Sequence, residues 1–175
     1  MTGIINEEWR SINGYLNYQV SNIGRVRNST TGIILKPVVI NTGYFKVTLS
    51  IEGSRKQLLI HRLVAQEFID NPTGKANVDH INHNVKDNTI SNLRWVSQSE
   101  DGMNQRKQQH TSSPYKGVSF NKRKNKWHAY IKINGTRKHL WFFLREKEAA
   151  AKYNEAAIEL FGEYAYLNEI SDDEF

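Results

Sequence analysis

The chain has 175 residues, with 24 Lys+Arg against 18 Asp+Glu and a formal net charge of +6. Zero cysteines exclude a disulfide scaffold, a thiolate zinc site and a cysteine nucleophile. No apolar run approaches the roughly 18–20 residues of a membrane span. The opening MTGIINEEWRS lacks the basic flank and apolar stretch of a signal peptide, so an intracellular protein that is not secreted is expected.

The charge is unevenly placed. Residues 1–107 hold 13 basic and 9 acidic side chains, residues 108–145 hold nine basic and no acidic ones, and residues 146–175 hold two basic and nine acidic. A solvated face normally mixes signs, so the acid-free block points to a polyanion, nucleic acid first. A membrane surface is the other polyanion, but no basic amphipathic helix supports it.

In chain order, Tyr18–Val20 and Arg25–Arg27 read as short strands around an Asn22-Ile23-Gly24 turn. Between Tyr44 and Ile51, Phe45, Val47, Leu49 and Ile51 alternate with polar positions, a half-buried strand that Glu52-Gly53-Ser54 turns into Gln57–Ile60. A short helix is predicted over His61–Ile69, with Leu63, Val64 and Phe68 inward and Asn71-Pro72 as its stop.

The segment from Val78 to Asn104 is dense in oxygen and imidazole donors. Phosphodiester hydrolysis needs a hard cation, a base for water and a scaffold that spaces them. Asp79 offers a hard oxygen for Mg²⁺, joined by a second oxygen donor about twenty residues on. His80, mostly neutral at pH 7, can accept a proton from water. Adjacent strand residues point to opposite faces, so Asp79 and His80 converge only if the strand ends or bends there.

Residues 108–114, QQHTSSP, are polar with a proline and read as a linker. Beyond it, Trp127, Ala129, Ile131 and Ile133 alternate with His128, Tyr130, Lys132 and Asn134, and Asn134-Gly135 is a favoured hairpin turn. A two-residue loop pairs Ile133 with Thr136, Lys132 with Arg137, Tyr130 with His139 and His128 with Trp141. One face then carries His128, Tyr130, Lys132, Arg137, His139 and Trp141 for a ligand, and the other carries Trp127, Ala129, Ile131, Leu140 and Phe142. Ala149, Ala150, Tyr153, Ala156, Ala157 and Leu160 recur at helical spacing and end at Gly162, an alanine-rich helix for the apolar face.

Two resemblances sharpen these readings. Tyr115-Lys-Gly-Val-Ser-Phe, Trp127-His-Ala-Tyr-Ile-Lys and the run from Glu148 to Asn168 resemble the ethylene-response-factor (APETALA) type DNA-binding domain. That family reads the major groove with a three-stranded sheet backed by one helix. The resemblance puts DNA contacts on Ser119, Asn121, Tyr130, Lys132, Arg137 and His139. The plant domains carry arginine at Ser119 and Asn121, glutamate at Tyr130 and glycine at Trp141, so the fold carries over and the base preference does not.

Asp79-His80, the Asn- and Asp-rich loop after it and Asn92-Leu-Arg-Trp-Val resemble HNH homing endonucleases of phages and group I introns. Trp9–Tyr15, Tyr18–Arg27, Gly43–Val47 and His61-Arg-Leu-Val-Ala resemble the module that often precedes that motif. The resemblance implies His80 as general base, Asp79 as metal ligand, Asn92 as the residue that fixes the loop and orients His80, and Asp101 at the third position. Asn104 is the substitute there. His83 reads as a loop histidine, His61 as a packing or capping residue, and Arg25, Arg27, Lys46 and Arg55 as phosphate contacts.

The expected fold class is α+β: an N-terminal mixed β region (1–72) leading into a ββα-metal core (73–109), a linker (110–114), and a three-stranded antiparallel sheet on one helix (115–170). The expected function is site-specific cleavage of double-stranded DNA by a monomer that nicks one strand. One divalent cation is expected, Mg²⁺ with Mn²⁺ or zinc as alternatives. A non-catalytic DNA-binding regulator and an RNA-binding protein are the rival readings.

Overall fold

The computed structural model describes residues 6–104, 112–133 and 135–171. It is α+β and divides between Ser97 and Gln98 into two compact units. Among the described residues no helix is long and apolar enough to cross a membrane.

The first unit begins with the antiparallel sheet β1 (Trp9–Ile12), β2 (Tyr15–Ser21) and β3 (Val26–Asn28). A second sheet holds β4 (Val38–Val39), β5 (Phe45–Ile51) and β6 (Ser54–Leu59), with β5 central. The alternation of β5 buries Val47 and Leu49, whereas Ile51, expected inward, is 40% exposed beside the turn that ends the strand. Helix α1 (Ile60–Phe68) starts one residue before the predicted helix and buries Ile60, His61, Leu63, Val64 and Ala65. Of these, Ile60, Leu63, Val64 and Ala65 join Ile12, Val20, Val26, Val78 and Leu93 in one apolar core. The pair β7 (Asn77–His80) and β8 (Leu93–Val96) is antiparallel, with Asp79 opposite Arg94 and His80 opposite Leu93. The core therefore grips the strand that ends in His80.

The second unit opens with α2 (Gln98–Asn104), so chain order through this region is β-β-α. Its sheet has β10 (Lys126–Ile133) between β9 (Val118–Asn121) and β11 (Thr136–Phe143), and α3 (Glu146–Phe161) packs on it. Glu146 and Glu148 sit in the first turn of α3, where carboxylates suit the helix dipole. Ala149, Ala150, Tyr153, Ala156 and Ala157 are buried as the spacing predicts, but Phe161 is buried where Leu160 was expected, and Leu160 is 41% exposed. Asn168 ties the tail down: its amide accepts from Lys116 N and donates to Lys116 O, while Asn154 bonds its backbone.

The hairpin differs from its expected register beyond Tyr130. Ile133 faces Thr136, Lys132 faces Arg137 and Tyr130 faces His139, as predicted, but a β-bulge then sets Trp141 opposite Ala129 and Phe142 opposite His128. One extra residue reverses which side chains face which way. Phe142 therefore lies on the open face, 4.9 Å from the His128 ring, and Phe143 takes the place in the core expected of Phe142. Asn134 of the predicted turn, residues 105–109 of the predicted nuclease core and residues 110 and 111 of the predicted linker lie outside the described residues.

Candidate active site and nucleic-acid interface

His80 is the last residue of β7 and is only 3% exposed. Its Nε2 lies 3.1 Å from Asn88 Oδ1. Asn88 is itself buried, and its Nδ2 donates to Lys86 O at 3.5 Å, which aims the amide oxygen at the ring. An amide oxygen only accepts, so Nε2 carries the proton and Nδ1 keeps the lone pair. Burial holds the His80 pKa below its usual value, opposed by the Asn88 bond and by the charges of Asp79 and Asp87. At neutral pH the ring is an uncharged base.

The Tyr44 and His61 rings complete its surroundings, 5.7 and 5.2 Å away. His61, in the first turn of α1, is 4% exposed, and its Nδ1 has no hydrogen-bond partner among the described residues. Burial, then the nearby His80 and Arg62, pushes its pKa down to about 3. It packs, as expected, and it packs against the candidate base.

Asp79 points the other way along β7, as strand alternation dictates. Its Oδ2 accepts from Arg94 Nε at 3.0 Å and from the Arg94 terminal nitrogen at 2.9 Å, with both side chains largely buried. Asp79 and His80 still sense each other electrostatically, since Asp79 raises the His80 pKa.

Asn92 clamps the loop between the two strands. Its Oδ1 accepts from Asn82 N at 2.9 Å, its Nδ2 donates to Asp87 O at 2.8 Å, and its carbonyl accepts from Ile81 N. This fixes the backbone immediately after His80. The expected hold on the ring falls to Asn88 instead, a residue absent from the sequence-based candidates. Asp87 reinforces the loop through Asn82 and Thr89. His83 occupies a left-handed turn at φ 58°, its N–H bonded to His80 O, consistent with a loop role.

Asp101 and Asn104 both lie on α2 in the second unit, Asp101 in its first turn and Asn104 buried at its end. Among the described residues no group of three or more His, Cys, Asp or Glu gathers as a metal centre. The Asp79 carboxylate is a hard oxygen donor, a chemistry that fits Mg²⁺ or Mn²⁺, and Asp101 in the other unit is a donor of the same type.

The second unit presents a different surface. Lys122, Arg123, Lys124, Lys126, Lys132, Arg137, Lys138 and Arg145 are all exposed, with no acid between 112 and 145. His128 Nε2 lies 2.7 Å from His139 Nδ1, and Phe142 packs on both rings. Arg137 stacks over Tyr130 at 4.7 Å, and Lys124 sits 3.9 Å from the Phe142 ring centre. Lys124, Lys126, His139, Trp141 and Phe142 line a cavity of about 560 Å³. Ser119 faces His128 across the sheet, and Asn121 Oδ1 accepts from Lys124 N, which closes the turn below this surface. Of the ninth cation in the block, Lys116, the ammonium bonds Met103 O and burial lowers its pKa to about 8.

The N-terminal cations are more committed to their own fold. Arg25 pairs with Glu7, Arg27 bonds Gln19 and stacks 4.2 Å from Trp9, and Lys46 bonds Gln57. Arg55 lies exposed on β6.

These arrangements coincide with two known sequence families. Residues 58–103 match the HNH endonuclease family, and residues 7–50 match the NUMOD4 motif. The DNA endonuclease I-HmuI of Bacillus phage SP01 is 39% identical over 99 residues, 56% of this chain and 57% of that protein. The uncharacterized HNH endonuclease L245 of Acanthamoeba polyphaga mimivirus is 39% identical over 90 residues, 51% of this chain and 27% of that protein. A solved structure of DNA binding and cleavage by the HNH homing endonuclease I-HmuI aligns with 52% of this chain and 53% of its own. Its identity is 41% and its TM-score 0.48. The chain thus spans 57% or less of the length of these two curated relatives.

Proposed function

We propose that this chain is a divalent-metal-dependent endonuclease that cuts double-stranded DNA inside the cell, with His80 as general base. The observation that carries this is the His80–Asn88 contact. It holds a neutral, buried imidazole with its proton on Nε2 and its lone pair on Nδ1. Such a ring takes a proton from the water that attacks phosphorus. Asn92 keeps the His80 backbone still while this happens, and Arg94 aims the Asp79 carboxylate. Asp79 and Asp101 are the side chains that would hold the cation, Mg²⁺ before Mn²⁺. When bound, it supplies charge stabilisation for the crowded phosphate and the leaving oxygen. The HNH match over residues 58–103 supports the same reading.

The second sheet is proposed as the DNA-reading surface, with Tyr130, Lys132, Arg137 and His139 toward the duplex and Ser119 and Asn121 at its edge. Its aromatic and cationic composition, free of acid, supports this. Arg25 and Arg27 add phosphate contacts from the first unit. One His80 per chain means one strand cut per binding event by a monomer. The test is His80→Ala: cleavage falls below detection and duplex affinity stays within about threefold. A variant that cuts at the wild-type rate removes His80 from the mechanism.

A further inference from the structure

The Asn22–Gly24 turn joins β2 to β3 in the segment that matches the NUMOD4 motif, far along the chain from His80. It nevertheless presses on the residue that holds the His80 ring. Gly24 has φ +81°, and a Cβ there would lie 2.6 Å from Asn88 Cβ and 3.2 Å from Asn88 O. No side chain fits that gap without moving Asn88, and the left-handed backbone independently favours glycine. Two residues past Asn88, Ile90 N donates to Asn22 O at 2.8 Å. Asn22 is itself pinned, its amide bonded to Glu8 N and Asn6 O. The turn is thus an anchored wall, in contact on one side with Asn88 and on the other with the chain just beyond it.

We infer that this turn is a positioning element of the nuclease site, acting through Asn88 on His80. The inference rests on the reading of His80 as general base. Relieving the 2.6 Å approach to an ordinary contact of about 3.4 Å moves Asn88 by ~0.8 Å and lengthens the 3.1 Å bond that selects the ring tautomer. The Nδ1–H tautomer, released from its competitor, puts the proton on the nitrogen that must be bare. Catalysis is steep in such displacements, about a hundredfold for one ångström.

The experiment compares the full chain with Gly24→Ala, Asn88→Leu and Asn88→Asp. Gly24→Ala and Asn88→Leu are expected to lower kcat on duplex DNA with Mg²⁺ by roughly tenfold to a hundredfold. KM and duplex affinity stay within about twofold. The ¹⁵N signals of His80 in metal-free protein are expected to move from the Nε2–H pattern toward a tautomer mixture in both variants. Asn88→Asp keeps an acceptor on the same atom, so it retains the wild-type tautomer and most of kcat. A Gly24→Ala protein with unchanged kcat and unchanged ¹⁵N signals overturns the inference. So does one whose duplex affinity falls while its KM rises and its kcat holds, since that makes the turn a DNA contact. If Gly24→Ala does not fold, the Leu and Asp variants at position 88 decide whether Asn88 sets the tautomer. Identical ring signals in those two also overturn the inference. A wild-type protein that cuts nothing refutes the nuclease reading, while the ¹⁵N comparison still decides the positioning.

Discussion

His61 is a buried side chain of the first unit whose lowered pKa makes folding pH-dependent. Its folded pKa of about 3 lies far below the ordinary value of 6.5. The unfolded chain therefore binds a proton between those values and the folded chain does not. The stability this ring contributes is complete above pH 6.5 and is lost as pH falls from there toward 3, at about 1.4 kcal/mol per pH unit. Urea melts at pH 7, 6 and 5 are expected to follow that slope, and His61→Phe is expected to flatten it. Equal slopes in the two proteins would place the acid sensitivity elsewhere. At this scale Asp79 and His80 stood out in the sequence because their types carry chemistry, and Asn92 through the resemblance to HNH endonucleases. Asn88 was not visible, because one asparagine in a loop that also holds Asn82, Asn84 and Asn92 has no mark of its own. Only the fold shows which of them meets the ring.

The three-stranded sheet of the second unit was legible in its alternation and turn residues, and the bulge between Ala129 and Tyr130 was not. An inserted residue leaves an apolar pattern intact on both sides, so Leu140-Trp141-Phe142-Phe143 offers no sign of where the alternation flips. The flip moves Phe142 to the open face and leaves Trp141 65% exposed. An exposed tryptophan on an edge strand contributes little to folding, so Trp141→Ala is expected to change stability by less than about 0.5 kcal/mol. Its DNA affinity is expected to fall about tenfold, within the range of one lost aromatic–base contact. A loss of stability instead of affinity would make the ring structural. Gly117 has the opposite character. A Cβ there would lie 2.1 Å from the Tyr153 ring and 2.5 Å from Tyr130 O. Gly117→Ala is expected to destabilise the second unit by on the order of 2–3 kcal/mol, read as an earlier denaturant midpoint. An unchanged midpoint would show that Tyr153 has room to move.

Across the whole molecule, the candidate base and the acid-free cationic block fall in different units. The imidazole, its amide partner and the Asp79–Arg94 pair belong to the first, and eight exposed cations without an acid belong to the second. The acid-free block was legible in the sequence, since electrostatic segregation is read directly from composition. The boundary after Ser97 was not, because the apolar side chains that decide it are scattered through the chain. Affinity carried by phosphate contacts is expected to drop about a thousandfold between 50 and 200 mM salt, measured by anisotropy on one duplex. A flat salt response would move recognition away from the basic face.

The most direct measurement is incubation of the purified chain with supercoiled plasmid carrying phage and host DNA, in Mg²⁺ and in EDTA. The account predicts conversion to open circles in Mg²⁺ alone, the product of single-strand cuts by a one-site enzyme. Intact supercoils in both Mg²⁺ and Mn²⁺, with the chain bound tightly to a duplex containing its own target sequence, would contradict it.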